Sequence, residues 1–156
     1  MKIILTAFGG KHDLRLVAAV EDYSKRLSFY YPVEWNLLHP VKNASRLDPA
    51  GLVAAESQML LSQLQENEFL VLLDEKGKML SSPELAGILE KQSMVSKRIR
   101  FVIGGAYGVS EALLQKADMI WSLSKLVFPH QLVRLILAEQ LYRACTIIKG
   151  EKYHHV

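Results

Sequence analysis

The chain has 156 residues, of which 50% are hydrophobic and 22% charged; the length allows one domain, and the composition excludes a disordered or fibrous protein. Lys and Arg number 19 against 16 Asp and Glu, for a net charge of +3, with 13 basic and 12 acidic residues in 1–100 and 6 and 4 in 101–156. No segment is a polybasic tail, so attraction to nucleic acid through charge alone is modest.

The longest apolar runs are five or six residues, far below the roughly 18 that suggest a membrane span. The opening residues are too short an apolar stretch for a signal peptide, which points to a cytoplasmic protein. A single cysteine, Cys145, excludes an internal disulfide and a multi-cysteine metal site. Its apolar helical surroundings mark it as a core residue rather than a nucleophile.

Residues 2–8 form an apolar run stopped by Gly9-Gly10 and read as a buried strand. Leu14, Val17, Ala18, Val20, Tyr23 and Leu27 then recur at helical spacing. Pro32 ends that helix, and residues 33–37 alternate as a strand before a loop over 39–45. Asp48-Pro49 supplies an N-cap and a first-turn proline for a helix reaching about residue 65. Residues 69–73 are apolar on both faces, as in a central strand, and Asp74-Glu75-Lys76-Gly77 reads as a turn. Ser82-Pro83-Glu84 opens a third helix to about residue 95, and residues 100–103 make a fourth strand into Gly104-Gly105. A short helix over 110–117, a fifth strand over 119–123 and a long helix over 130–148 complete the chain, with His130 read as the cap of that helix. Five strands alternating with five helices predict an α/β fold with a mainly parallel sheet flanked by helices. The last helix leaves only narrow polar strips. Its outward apolar face reads as a subunit interface, full internal burial being the alternative. Glu139 and Arg143 stand four apart, the spacing of an ion pair.

In open parallel sheets ligands bind beyond the carboxyl ends of the strands, which singles out three loops, after the third, fourth and fifth strands. Gly104-Gly105-Ala106-Tyr107-Gly108 offers bare backbone to a ligand. It lacks the spacing of a dinucleotide fingerprint and the Lys-Ser/Thr of a phosphate loop, so nucleotide binding of those kinds is poorly supported. The segment Leu123, Ser124, Lys125, Leu126, Val127, Phe128 is too apolar for an ordinary exposed loop, and is either buried or wraps an apolar ligand such as a purine ring.

Phe-Val-Ile-Gly-Gly-x-x-Gly at 101–108, Ser-Leu-Ser-Lys at 122–125, Phe-Pro-His-Gln at 128–131, Arg134, Glu-Gln-Leu-Tyr-Arg-Ala at 139–144 and Tyr153-His154 together resemble the large-subunit ribosomal RNA methyltransferase H family. These are SPOUT-class enzymes that methylate N3 of a pseudouridine in 23S rRNA with S-adenosylmethionine. The resemblance spans the chain and is densest over 101–156. It departs at Val127, where the family commonly has Thr, and at His155, where it commonly has Lys or Arg.

The resemblance implies a single SPOUT methyltransferase domain over 1–156 with a C-terminal trefoil knot within about 70–156, and a homodimer. It implies a cofactor pocket of Leu73, Gly104, Gly105, Leu123, Ser124, Lys125, Leu126, Val127 and Phe128, and no metal. His154 is then the candidate general base, because histidine as a residue type titrates near neutrality. Tyr153 would stack on or hydrogen-bond the target base, and Arg143 would stabilise the developing anion or hold a phosphate. Arg143 merely paired with Glu139 is the alternative. Lys11, Lys42, Arg46 and Lys152 are candidate RNA contacts. A non-enzymatic RNA-binding module of the same fold and a flavodoxin-like nucleotide binder are rival readings, separated by methyl-donor binding and by a flavin spectrum.

Overall fold

A computed structural model describes residues 1–155. Its strands are β1 (Lys2–Phe8), β2 (Val33–Leu38), β3 (Glu68–Met79), β4 (Arg98–Ile103) and β5 (Met119–Ser122); its helices are α1 (Val17–Ser28), α2 (Pro49–Leu61), α3 (Ser82–Val95), α4 (Glu111–Lys116) and α5 (His130–Ile148). All strands are parallel, in the order β2-β1-β4-β3-β5. The α/β class, the parallel sheet and the alternation of elements therefore match the expectation from sequence.

Strand periodicity divides the core into two layers. Ile3, Leu5, Val71, Ile99, Phe101 and Ile103 meet Leu27 of α1, Leu85 and Leu89 of α3, and Leu137 and Leu141 of α5 on one face. Leu70, Leu72, Val102 and Phe8 meet Leu60 of α2 and Leu113 of α4 on the other. Each fully buried Leu or Ile contributes roughly 1.5–3 kcal/mol relative to exposure. A polar insert sits in the second layer: Arg100 pairs with Glu68, both side chains buried, and donates to Thr6 Oγ1 at 2.9 Å.

The helix starts follow local chemistry. Asp48 Oδ1 accepts from Gly51 N at 2.8 Å with Pro49 at the first position. Before α3, Ser81 Oγ accepts from Glu84 N while Glu84 Oε2 accepts from Ser81 N at 2.7 Å, a reciprocal cap. Two expectations need correction here. α2 ends at Leu61, short of residue 65. α5 is not capped by His130: its N-cap is Pro129, which makes no side-chain cap bond, and His130 is the first helical residue.

A third correction bears on function. Asp74-Glu75-Lys76-Gly77 does not turn the chain out of the sheet, because β3 continues to Met79. Leu73 and Lys78 both register with Trp121 of β5, so residues 74–77 form a bulge within the strand. A Cβ on Gly77 would lie 2.7 Å from backbone atoms of Ile120 and Trp121, so only glycine lets the strand rejoin β5 after the bulge.

Candidate active site

The two helical layers place a crevice at the carboxyl end of β4. The crossover that follows β4 leaves toward the α2/α4 face, while those following its neighbours β1 and β3 leave toward the α1/α3/α5 face. Such divergence opens an open parallel sheet to ligands. A cavity of about 510 Å³ lies there, within the range that holds a cofactor-sized molecule.

All three loops singled out in the sequence line it. The β3 bulge supplies Leu73, Asp74, Glu75 and Lys76; the β4 loop supplies Gly104, Gly105 and Tyr107; the β5 loop supplies Leu123, Ser124, Leu126, Val127 and Phe128. Lys125, expected with them, is exposed and does not line the cavity. The alternative of a buried 123–128 loop is also corrected: Leu126 is 71% and Val127 80% exposed, whereas Phe128 is half-buried. Ser124 Oγ accepts from Leu126 N at 3.0 Å, and Ser122 Oγ donates to Ser124 O at 2.9 Å, so short local bonds hold the loop open. His130 and Val133 from the first turn of α5 also line the cavity.

The glycines of the β4 loop differ in what they make room for. A Cβ on Gly104 would meet Val109 Cγ1 at 3.1 Å, while one on Gly105 would lie 2.1 Å from Glu56 Oε2. Glu56, on α2, was not singled out in the sequence, where nothing marks a mid-helix glutamate as reaching another loop. Burial raises its carboxyl pKa above the ordinary range. Gly108 adopts φ +82°, which a residue with a side chain takes up only at a cost, and Gly108 N donates to Gly105 O at 3.1 Å to close the turn.

Arg143 and Tyr153 are brought together elsewhere. Arg143 donates to Glu139 Oε1 from Nε at 3.0 Å and from Nη2 at 2.6 Å, the i,i+4 pair expected from the spacing. That bond to Glu139 is the main reason the guanidinium pKa is raised. The same guanidinium lies 4.7 Å over the Tyr153 ring. Tyr153 Oη donates to Glu139 Oε1 at 3.1 Å and stands 3.2 Å from Tyr23 Oη; burial, then the Tyr23 contact, raises its pKa. His154 is half-buried, and its Nδ1 is enclosed with no hydrogen-bond partner among the described residues.

This cluster is remote from the cavity. Arg143 follows His130 by 13 residues of one helix, about 20 Å at 1.5 Å per residue. Glu151 Oε2 accepts from Tyr30 Oη at 2.6 Å, which ties the tail to the segment just before β2, at the amino edge of the sheet. Of the candidate RNA contacts, Lys11 is exposed in the loop after β1, and Lys42 and Arg46 are exposed in the loop after β2, both on the carboxyl edge. Lys152 is exposed in the tail. Cys145 is buried, and burial pushes its thiol up to about 12, as a core residue requires. Among the described residues no helix is long and apolar enough to cross a membrane, and no three His, Cys, Asp or Glu side chains gather as metal ligands.

An all-parallel α/β chain with a cofactor-sized cavity walled by a glycine loop and an apolar loop at its carboxyl edge belongs to the open-sheet proteins that bind ligands at the carboxyl ends of their strands. Comparison narrows it further. The family model described as "Predicted SPOUT methyltransferase" matches residues 1–154, and the chain belongs to that family. Proteins named "Ribosomal RNA large subunit methyltransferase H" are similar to it: that of Parabacteroides distasonis is 44% identical over 156 residues, covering 99% of each chain. Those of Christiangramia forsetii and Gloeobacter violaceus are 42% and 41% identical, again over 99% of each chain. Among solved structures, a probable methylase family protein from Haemophilus influenzae Rd KW20 superposes with a TM-score of 0.53 at 11% identity, covering 99% of this chain and 70% of that one. That likeness concerns the fold. Membership of a methyltransferase family implies a methyl donor.

Proposed function

We propose that this protein transfers the methyl group of S-adenosylmethionine to N3 of a pseudouridine in 23S rRNA, as a cytoplasmic homodimer acting on assembled large ribosomal subunits. The observation that carries the reading is the carboxyl-edge cavity, in a chain whose relatives across nearly their whole length are named as ribosomal RNA methyltransferases. The reading includes a single domain over 1–156 with a trefoil knot within about 70–156.

The residues present fit this cofactor. Leu73, Leu126, Val127 and Phe128 supply apolar wall for an adenine, and Gly104, Leu123 and Ser124 bring backbone close. Asp74 and Glu75 outnumber Lys76 in the lining of the same cavity, which leaves net negative charge toward a cationic ligand. When bound, S-adenosylmethionine supplies a methyl group already activated by its sulfonium. The protein's task is therefore to align N3 with that methyl and to remove the N3 proton. His154 takes that proton, Arg143 stabilises the imide anion left behind, and Tyr153 holds the base.

Since Arg143 lies about 20 Å along α5 from the cavity-lining His130, with Tyr153 against it and the tail following the far end of that helix, a second copy delivers its tail to the first copy's cavity. The apolar exposed residues Leu126 and Val127 and the half-exposed Leu132, Leu135 and Ile136 of α5 supply the surface such a dimer needs.

A labelled-methyl transfer assay tests this. Large subunits should accept label and an isolated hairpin should not, because a dimer carrying only twice +3 gains little from counterion release on naked RNA. Efficient turnover of the hairpin would refute the subunit preference. Failure to bind S-adenosylhomocysteine in calorimetry would leave a non-enzymatic RNA-binding module.

A further inference from the structure

Arg134 is the largest fully buried side chain of the molecule, 1% exposed, and among the described residues it faces no carboxylate within ion-pair distance. It is also the fifth residue of α5, near the end of the helix where the backbone dipole already carries positive charge. A buried cation in such a place is costly, and an apolar side chain of similar length would fill the same space more cheaply. Burial lowers its pKa, which is the electrostatic sign of that cost.

Both Nη groups of the guanidinium reach one segment, while Nε has no hydrogen-bond partner among the described residues. Nη2 donates to Phe8 O at 2.7 Å; Nη1 donates to Gly10 O at 3.0 Å and Lys11 O at 3.1 Å, and lies 3.3 Å from His12 Nδ1. Gln131, on the same turn of α5, adds two more bonds to that segment: its Oε1 accepts from Asp13 N at 2.9 Å and its Nε2 donates to Lys11 O at 3.3 Å. Gly9 and Gly10 carry φ +92° and +71°, so this path suits glycine and needs an external tie. Two neighbours on that turn, His130 and Val133, line the cofactor cavity. One helical turn therefore touches the cavity on one side and grips the loop after β1 on the other.

The gripped loop is joined to its neighbour. Gly10 N donates to Leu38 O at 3.0 Å, at the point where the loop after β2 begins. His12 packs edge-on against Trp35 of β2, ring centroids 4.7 Å apart. The two loops expose Lys11, Lys42 and Arg46, and among the described residues none of these is within ion-pair distance of a carboxylate. Arg15, by contrast, is neutralised by Asp13 at 2.7 Å.

We propose that Arg134 is a positioning residue for RNA: it fixes the loop after β1 so that Lys11, together with Lys42 and Arg46, forms a phosphate-binding rim on the carboxyl edge beside the cofactor cavity. The inference rests on the RNA methyltransferase reading above. A backbone-gripping arginine suits this task because several carbonyls held at once fix both the position and the direction of the loop, which an apolar side chain cannot do. The rim carries three charges, enough to orient a preformed RNA surface without sequence reading.

The test uses full-length protein and large ribosomal subunits. Arg134→Met should raise KM for subunits about tenfold while kcat at saturation and the affinity for S-adenosylhomocysteine stay within about twofold, since only the rim is displaced. Lys11→Ala combined with Lys42→Ala and Arg46→Ala should raise KM likewise and reduce the log–log salt dependence of subunit binding by about 0.7–0.9 per lost phosphate contact. Added to that triple variant, Arg134→Met should change KM little, because it acts through the same side chains. If Arg134→Met does not fold, Gln131→Ala, which removes two bonds to the same loop, decides the matter by the same split. A folded Arg134→Met or Gln131→Ala protein with unaltered KM, or an effect fully additive with the triple variant, overturns the inference while leaving methyl transfer intact. Absence of transfer to any RNA by the unaltered protein overturns it together with the reading on which it rests.

Discussion

Two titratable side chains, the half-buried Glu56 and the buried Cys145, carry separable consequences. Glu56 makes no ion pair among the described residues, and burial raises its carboxyl pKa above the ordinary value of 4.5. In the window just above that value the native state keeps a proton that the unfolded chain has released. Stability therefore falls as pH rises through the window. Glu56→Gln keeps the shape that Gly105 accommodates and removes this slope. Urea unfolding from about pH 4 to 7 should show a flatter stability profile for the variant, and an unchanged slope would mean that Glu56 is solvated in solution. Cys145 differs in kind: with its thiol pushed up to about 12, the thiolate that alkylating agents attack is scarce at neutral pH. Iodoacetamide at about pH 8 should leave the folded protein unmodified and label it once unfolded.

Among the elements, β3 departs most from its sequence pattern. Polar residues followed by glycine describe a turn and a strand bulge equally well, and what decides between them, the approach of β5 to Gly77, comes from residues more than 40 positions away. Gly77→Ala should therefore destabilise the fold by about 3 kcal/mol, since the Cβ would press on backbone that cannot step aside. Gly87, inside α3, has nothing within 4 Å of a Cβ, and Gly87→Ala should stabilise by up to about 1 kcal/mol. Chemical denaturation of the pair checks both signs. The remaining strands and helices were legible because their signals are local: apolar runs, prolines after Asp48 and Ser82, and the 3.6 period of α5. The three cavity loops were legible for a general reason, that parallel strands present their carboxyl ends to ligands. The role of Arg134, which carries part of the family resemblance, was not, because its partners lie 122–126 residues earlier in the chain. The exposure of Leu126 and Val127 was not either, since composition cannot tell a loop buried by its own chain from one awaiting a ligand or a second copy.

In the molecule as a whole, α5 runs from the cavity at the carboxyl edge to the tail at the amino edge, and its rigidity keeps the two apart. The tail is also fastened where it lies, by Tyr153 on Glu139 and Glu151 on Tyr30, so folding it back over 20 Å within one chain would break both ties. A symmetric pair needs no such movement, because each copy can present its fixed tail to the other's cavity. Light scattering at micromolar concentration should therefore give a dimer. Co-expression then separates the two arrangements. Gly104→Val should remove cofactor binding by placing a side chain in the cavity wall, and His154→Ala should remove the base while leaving cofactor affinity nearly unchanged; each homodimer is then inactive. In a random mixture half the dimers are mixed, and a mixed dimer has one intact site if tails act across the interface, none if they act within their own chain. Recovery of about a quarter of unaltered activity is expected from that counting. No recovery in a sample shown by mass to contain mixed dimers would place each tail on its own cavity, and a fully active His154→Ala homodimer would leave alignment and Arg143 as the source of the rate.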